Sequence, residues 1–208
     1  MEKTVNRHEG PARIPTDEEI LAELTAGSSD RFALLVARYS TDLFQFVARF
    51  IRNPAVVEDV VQESFIQVYQ SAGGFDSSRK FRPWLFTIAA NKARDHIRGR
   101  TRRREVSLTG GAKSESTEVS YLDFLADDSV SPGEAMETGE QQRIVREIVS
   151  QMPDHLREVL VLGYYQRFAY KEIAEMLEIP LGTVKSRLHA AVANFAVAFK
   201  KMEKQTNV

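Results

Sequence analysis

The chain has 208 residues, 43% of them apolar, which is enough for one or two domains with real cores. It contains no cysteine, which excludes disulfides and cysteine-held zinc and fits a reducing cytoplasm. The net charge of −1 hides a segregation: residues 1–70 sum to −4, 71–105 to +7, 106–140 to −7 and 141–208 to +3. Blocks alternating in this way point to two functional surfaces separated by an acidic spacer.

Residues 1–15 are polar, carry two prolines and show no periodicity, so they are expected to be disordered. They hold no apolar leader-like stretch, and no long apolar run occurs elsewhere. The expectation is a soluble cytoplasmic chain with no membrane insertion. Thr16 and Glu19 form a capping box that starts a short helix through about Thr25. A longer helix is predicted from about Asp30 to Ile51, with Phe32, Leu35, Val36, Tyr39, Leu43, Phe46, Val47 and Phe50 at helical spacing. Asn53-Pro54 is an N-cap followed by proline at the first helical position. The helix it opens, Pro54 to about Ser71, turns Val57, Val60, Val61, Phe65 and Val68 inward. Its far side carries Asp59, Gln62, Glu63 and Gln70 around Ile66. That side reads either as an ordinary solvated face or as a docking face with one apolar anchor ringed by acids and amides.

The loop SAGGFDSSRK follows, with Gly73-Gly74 giving it freedom and Phe75 lacking an evident helical partner. Between Ser71 and Glu105 stand ten basic residues against three acids. Most lie in FRPWLFTIAANKARDHIRGRTRRR, Phe81 to Arg104, which also holds the single tryptophan, Trp84. Read as a helix, Phe81, Trp84, Leu85, Ile88, Ala89, Ala93 and Ile97 share one side, and Asn91, Arg94, Asp95 and Arg98 the other. Lys92 and His96 interrupt the apolar side. A basic helix presenting amide and guanidinium groups suggests a nucleic-acid surface; arginine-rich helix ends are also common as solvated caps.

Residues 106–132 read as a linker, interrupted by the apolar cluster Tyr121 to Leu125. A second helical unit begins there, with a helix from Pro132 to about Gln151 (Ile144, Val145 and Ile148 inward) and another from His155 to Tyr165. Helices over Tyr170 to Leu177 and Leu181 to Phe199 are joined by a tight turn, and Ile173, Ala174 and Leu177 face Val184, Leu188 and Ala191. This is a helix-turn-helix pattern, with Glu178 where the turn often has glycine. A plain helical hairpin is the alternative. The N-terminal part of a recognition helix enters the major groove. With Val184 and Leu188 buried, Lys185, Ser186, His189 and Ala190 face out, where lysine, serine and histidine can bond base edges, and Arg187 and Lys171 suit phosphates.

No strand-like alternation occurs. The fold class is therefore all-α: an N-terminal helical bundle and a C-terminal helix-turn-helix domain joined by a flexible acidic linker. The boundaries are 1–15, 16–105, 106–132 and 133–204.

The segments DVVQESFIQVYQSAGGFD, FRPWLFTIAANKARDHIRGRTRR and MPDHLREVLVLGYYQRFAYKEIAEMLEIPLGTVKSRLHAA, in this order and with an acidic stretch between the last two, resemble bacterial sigma factors of the extracytoplasmic-function (ECF) group. The resemblance spans about Asp30 to Phe199 and implies two partners, core RNA polymerase and promoter DNA. It implies that Asp59, Gln62, Glu63 and Ile66 grip the clamp helices of the polymerase's largest subunit, in sigma region 2. Phe75, Lys80, Arg82 and Trp84 resemble the site that holds a base flipped from the −10 element. Asn91, Arg94, Asp95 and Arg98 resemble the face on the melting strand. The second domain resembles region 4, which reads the −35 element through Lys171, Thr183, Lys185, Ser186, Arg187 and His189 and meets the polymerase flap region. Members often carry a basic residue near Ala190, and they are commonly held by an anti-sigma factor. No cofactor is implied.

Two other function classes fit parts of the sequence. An autonomous helix-turn-helix regulator explains the second domain but leaves the basic aromatic stretch without a role. An HD-type metal phosphohydrolase is suggested by Asp95-His96, yet such a site needs further ligands, and the remaining histidines, His8, His155 and His189, lie in segments placed apart.

Overall fold

The computed structural model describes residues 13–108 and 132–206, all helix and turn, with no strand among them. The Tyr121–Leu125 cluster lies outside the described residues.

Helix α1 (Asp17–Thr25) starts at the expected capping box: Glu19 N–H donates to Thr16 Oγ1 (3.2 Å), and Thr16 N–H donates to Glu19 Oε2 (2.8 Å). Its acids also tie down its neighbours. Asp17 accepts from Arg38 and from the Tyr39 hydroxyl, and burial together with that carboxylate pushes the Tyr39 phenol well above its ordinary range. Arg13 pairs with Glu19, and Arg38 donates to the Pro15 carbonyl.

Helix α2 (Phe32–Val47) ends four residues before the expected Ile51. Its tail tightens into shorter hydrogen bonds, Arg49 N–H to Phe46 O and Phe50 N–H to Val47 O, which swing Ile51 into the core. Asn53 must be extended because a proline follows it, and it caps helix α3 (Pro54–Ser71) through Ala55 N–H. A 3-10 turn, Ala72–Gly74, leads to helix α4, which runs Phe81–Leu108 and so takes in three residues expected to belong to the linker. The first N–H of α4 is capped by Glu18 of α1 (3.1 Å), a long-range cap that suits the positive end of the helix.

In the second half, helix α5 (Pro132–Gln151) buries Ile148 and Val149, while Ile144 and Val145 are only half-buried. Helix α6 (Asp154–Leu160) passes into a π turn, Val161–Tyr165, and helices α7 (Tyr170–Leu177) and α8 (Leu181–Thr206) follow. Ile173 and Met176 of α7 meet Val184, Leu188 and Ala191 of α8, all buried, giving the expected helix-turn-helix crossing. Glu178 closes α7 in the left-handed region, at φ 54° and ψ 43°. A β-carbon there costs about 1 kcal/mol. Glu178→Gly is therefore expected to raise stability by about 0.5–1 kcal/mol, seen as a higher urea midpoint at unchanged slope.

The two halves share one continuous apolar core. Phe86 of α4 is fully buried, 5.2 Å from the Phe46 ring and 5.3 Å from the Phe168 ring of the second half. Phe86 lies off the apolar stripe expected for α4, as does buried Ala90. The start of this helix is enclosed on several sides, so no single stripe describes it.

Candidate nucleic-acid interface

Three surfaces carry the residues singled out in the sequence. On α3 the valines and Phe65 face inward, so Asp59, Gln62, Glu63 and Ile66 all stand exposed on one face, Ile66 at 48%. Glu63 lies 3.4 Å from Lys92 of α4, an exposed pair that leaves its carboxylate largely available. Beside them α2 and α3 leave an apolar groove walled by Phe32, Val36, Phe44, Phe65, Ile66 and Tyr69.

The second surface lies around the 3-10 turn and the start of α4. Phe75 does have ring partners: its centroid is 4.8 Å from Trp84 and 6.5 Å from Phe81. Phe75 and Trp84 are both half-exposed, so they form an aromatic wall open on one side, with Lys80 exposed beside it. Asp76 shapes the intervening loop by accepting from Ser78 N–H and Oγ, bonds that hold its carboxyl below the usual range.

The four polar residues expected on one open face of α4 are divided. Asn91, Asp95 and Arg98 are exposed, but Arg94 turns to the second half, where its Nε sits 2.8 Å from Glu158 Oε1 without aiming its N–H along the contact. Arg82 is engaged there too. It donates to the Gln166 carbonyl (3.0 Å) and side chain (2.9 Å), and its guanidinium lies 4.3 Å from the centre of the Phe168 ring. Glu158, Gln166 and Phe168 had no signal in the sequence, because nothing local marks a residue whose partner lies tens of positions away.

The third surface is the start of α8. Lys185, Ser186 and His189 are exposed, Thr183 and Arg187 are half-buried, and Lys171 is exposed on α7. Burial of Val184 and Leu188 sets this orientation, since residues one and two positions from a buried position on a helix point away from it. Ser186 Oγ donates to Thr183 O (3.1 Å) and keeps its lone pairs for an outside donor.

Among the described residues no group of three or more histidine, aspartate or glutamate side chains could hold a metal, so the Asp95-His96 pair gathers no third ligand there. No helix among them is long and apolar enough to cross a membrane.

Comparison with known proteins identifies the two regions of the chain. Residues 35–103 match the model of Sigma-70 region 2, and residues 142–194 match that of Sigma-70, region 4. The chain is 32% identical over 175 residues to the RNA polymerase sigma-H factor of Pseudomonas aeruginosa, covering 84% of this chain and 89% of that one. It is 33% identical over 169 residues to the ECF RNA polymerase sigma factor SigW of Bacillus subtilis, covering 81% and 89%. Two solved structures share the fold. One is CnrH in complex with the cytosolic domain of CnrY (TM-score 0.64, 24% identity, 90% of this chain and 99% of that one). The other is the sigma factor RpoE in complex with the anti-sigma factor NepR from Bartonella quintana (TM-score 0.61, 21% identity, 81% and 96%). With both sigma regions in order along it and relatives matched over nearly their whole length, the chain belongs to the ECF sigma factors, which direct RNA polymerase to promoters.

Proposed function

We propose that the three surfaces divide the work of a sigma factor as follows. The α3 face (Asp59, Gln62, Glu63, Ile66) docks on the clamp helices of the polymerase's largest subunit. The Phe75–Trp84 wall with Lys80 and Arg82 captures an unstacked base of the −10 element, and Asn91, Arg94, Asp95 and Arg98 follow the melted strand. Lys185, Ser186 and His189 read base edges of the −35 duplex, with Thr183, Arg187 and Lys171 on its backbone. Residues 16–105 and 133–204 are the two units, the second also meeting the flap region. The chain acts in the cytoplasm and performs no catalysis itself; polymerase supplies the chemistry.

The observation that carries this reading is the joint exposure of the four α3 residues on a helix whose other side is buried. Apolar anchors ringed by polar groups mark interfaces. The physics of the remainder is consistent. Aromatic faces hold single-stranded bases with little sequence penalty and so stabilise the melted state. Duplex contacts at −35 fix register. Two readers on one tether act together through effective concentration. An anti-sigma factor is a further expected partner, since the fold neighbour RpoE was solved with one.

The test is run-off transcription with core polymerase and sequencing of transcript starts; starts that share no upstream element pair would reject the reading. Tight, specific duplex binding by the free chain would favour an autonomous regulator instead. Lys185→Ala is expected to change the ranking of −35 variants, with a loss of about 1–3 kcal/mol at the base it contacts. An equal decrease across all variants would make Lys185 a phosphate contact.

A further inference from the structure

Helix α1 lies outside residues 35–103, the part matched to region 2, yet it braces the Phe75–Trp84 wall at both ends. Ile20, Leu21 and Leu24 are buried and fix α1 in the core, where it packs against α2 and against the 3-10 turn that leads into Phe75. At the other end of the loop, half-buried Glu18 accepts from the Phe81 N–H at 3.1 Å. Lys80, directly before α4, cannot supply this bond itself: it has donors but no acceptor, where helices favour serine, threonine, asparagine or aspartate. Asp17, next to Glu18, accepts from the Tyr39 hydroxyl, and the Tyr39 ring lies 5.6 Å from that of Phe81. Phe81 in turn is 6.5 Å from Phe75 and 6.1 Å from Trp84. Two acids of α1 thus hold the residue against which both rings of the wall pack.

We propose that Glu18 is a positioning residue for −10 recognition. By capping α4 in place of Lys80 it holds Trp84 4.8 Å from Phe75, so that the two rings present one face to an unstacked base. A lysine before α4 gives up a local cap and keeps a cation beside the wall, and an acid from another helix supplies the missing acceptor. The role rests on the reading that the Phe75–Trp84 wall captures a base.

Trp84 is the only tryptophan of the chain, so its fluorescence reports the wall alone. Acrylamide quenching in the free full-length chain measures how well Phe75 covers it. Holoenzyme, assembled from the full chain and core polymerase, then binds a promoter fragment drawn from the mapped transcript starts. The fragment is opened over the −10 element and carries an abasic site at each non-template position in turn. Glu18→Ala removes the acceptor, while Glu18→Gln keeps an acceptor and removes only the charge. Glu18 is half-buried, so neither change opens a closed cavity, and circular dichroism with core-polymerase affinity checks fold and assembly.

Glu18→Ala is expected to raise the quenching of Trp84 and to weaken binding of the intact fragment about fivefold, since apparent affinity scales with the fraction of chains whose wall is in place. At the abasic position that weakens the unsubstituted chain most, it should weaken binding no further, because no base is left for the wall to hold. Glu18→Gln should restore both properties. Unchanged quenching or unchanged binding in Glu18→Ala would overturn the proposal. Equal weakening on intact and abasic fragments would do so too, by placing Glu18 in folding or assembly. Tighter binding in both variants would make Glu18 merely a charge that repels the strand, and the positioning role would fall. If no abasic site weakens the unsubstituted chain, base capture itself fails, and the positioning role fails with it whatever Trp84 does.

Discussion

Replacing Asp59 and Glu63 together with alanine is expected to weaken binding to core RNA polymerase at least about tenfold while leaving the thermal melt nearly unmoved. Both carboxylates are exposed on α3, and their removal opens no cavity. The intramolecular contact at stake among the described residues, Glu63 with Lys92 at 3.4 Å, is a surface pair whose loss costs at most about 0.5 kcal/mol. A large binding defect with a small stability change therefore isolates docking from folding. The defect should shrink as salt rises, because exposed charges are screened over about 10 Å at 0.1 M. Co-purification and titration of labelled protein with core polymerase check this. Unchanged affinity would move the docking site elsewhere, the apolar α2–α3 groove being the next surface to probe.

Phe86→Ala should be the most damaging single change to stability, costing about 3–5 kcal/mol. The ring is fully buried between Phe46 and Phe168, and it also backs the Arg82 guanidinium. Truncation removes a large apolar volume from a region fed by both halves, and close-packed neighbours relax only partly around the void. Phe86→Leu keeps most of the volume and should cost much less. Urea unfolding gives both values. If alanine costs less than about 1 kcal/mol, the core is not shared between the halves.

The local devices were legible in the residues. Thr16 with Glu19, and Asn53 before Pro54, each start a helix where the sequence places them. The valines of α3 face the core and their polar neighbours face out, and Val184 with Leu188 set the exposed reading face of α8. These features depend on neighbours within one turn or on helical period, so the chain determines them one segment at a time. The all-α class follows from the same signals, whereas the two sigma regions and their order come from the likeness of whole segments to the family.

What only the tertiary structure decided lies where segments far apart in the chain meet. Periodicity leaves Phe86 off the apolar stripe of α4, because a helix enclosed on several sides has no single buried face. Glu18 caps α4 from another helix, and Phe75 gains ring partners across a loop. Arg94 reads as an open donor from its spacing and Arg82 from the resemblance, yet Glu158, Gln166 and Phe168 occupy them. A charged side chain carries its chemistry in its type, and helical spacing gives its direction. Whether it faces solvent, nucleic acid or another part of its own chain depends on how the halves pack, which no local pattern encodes.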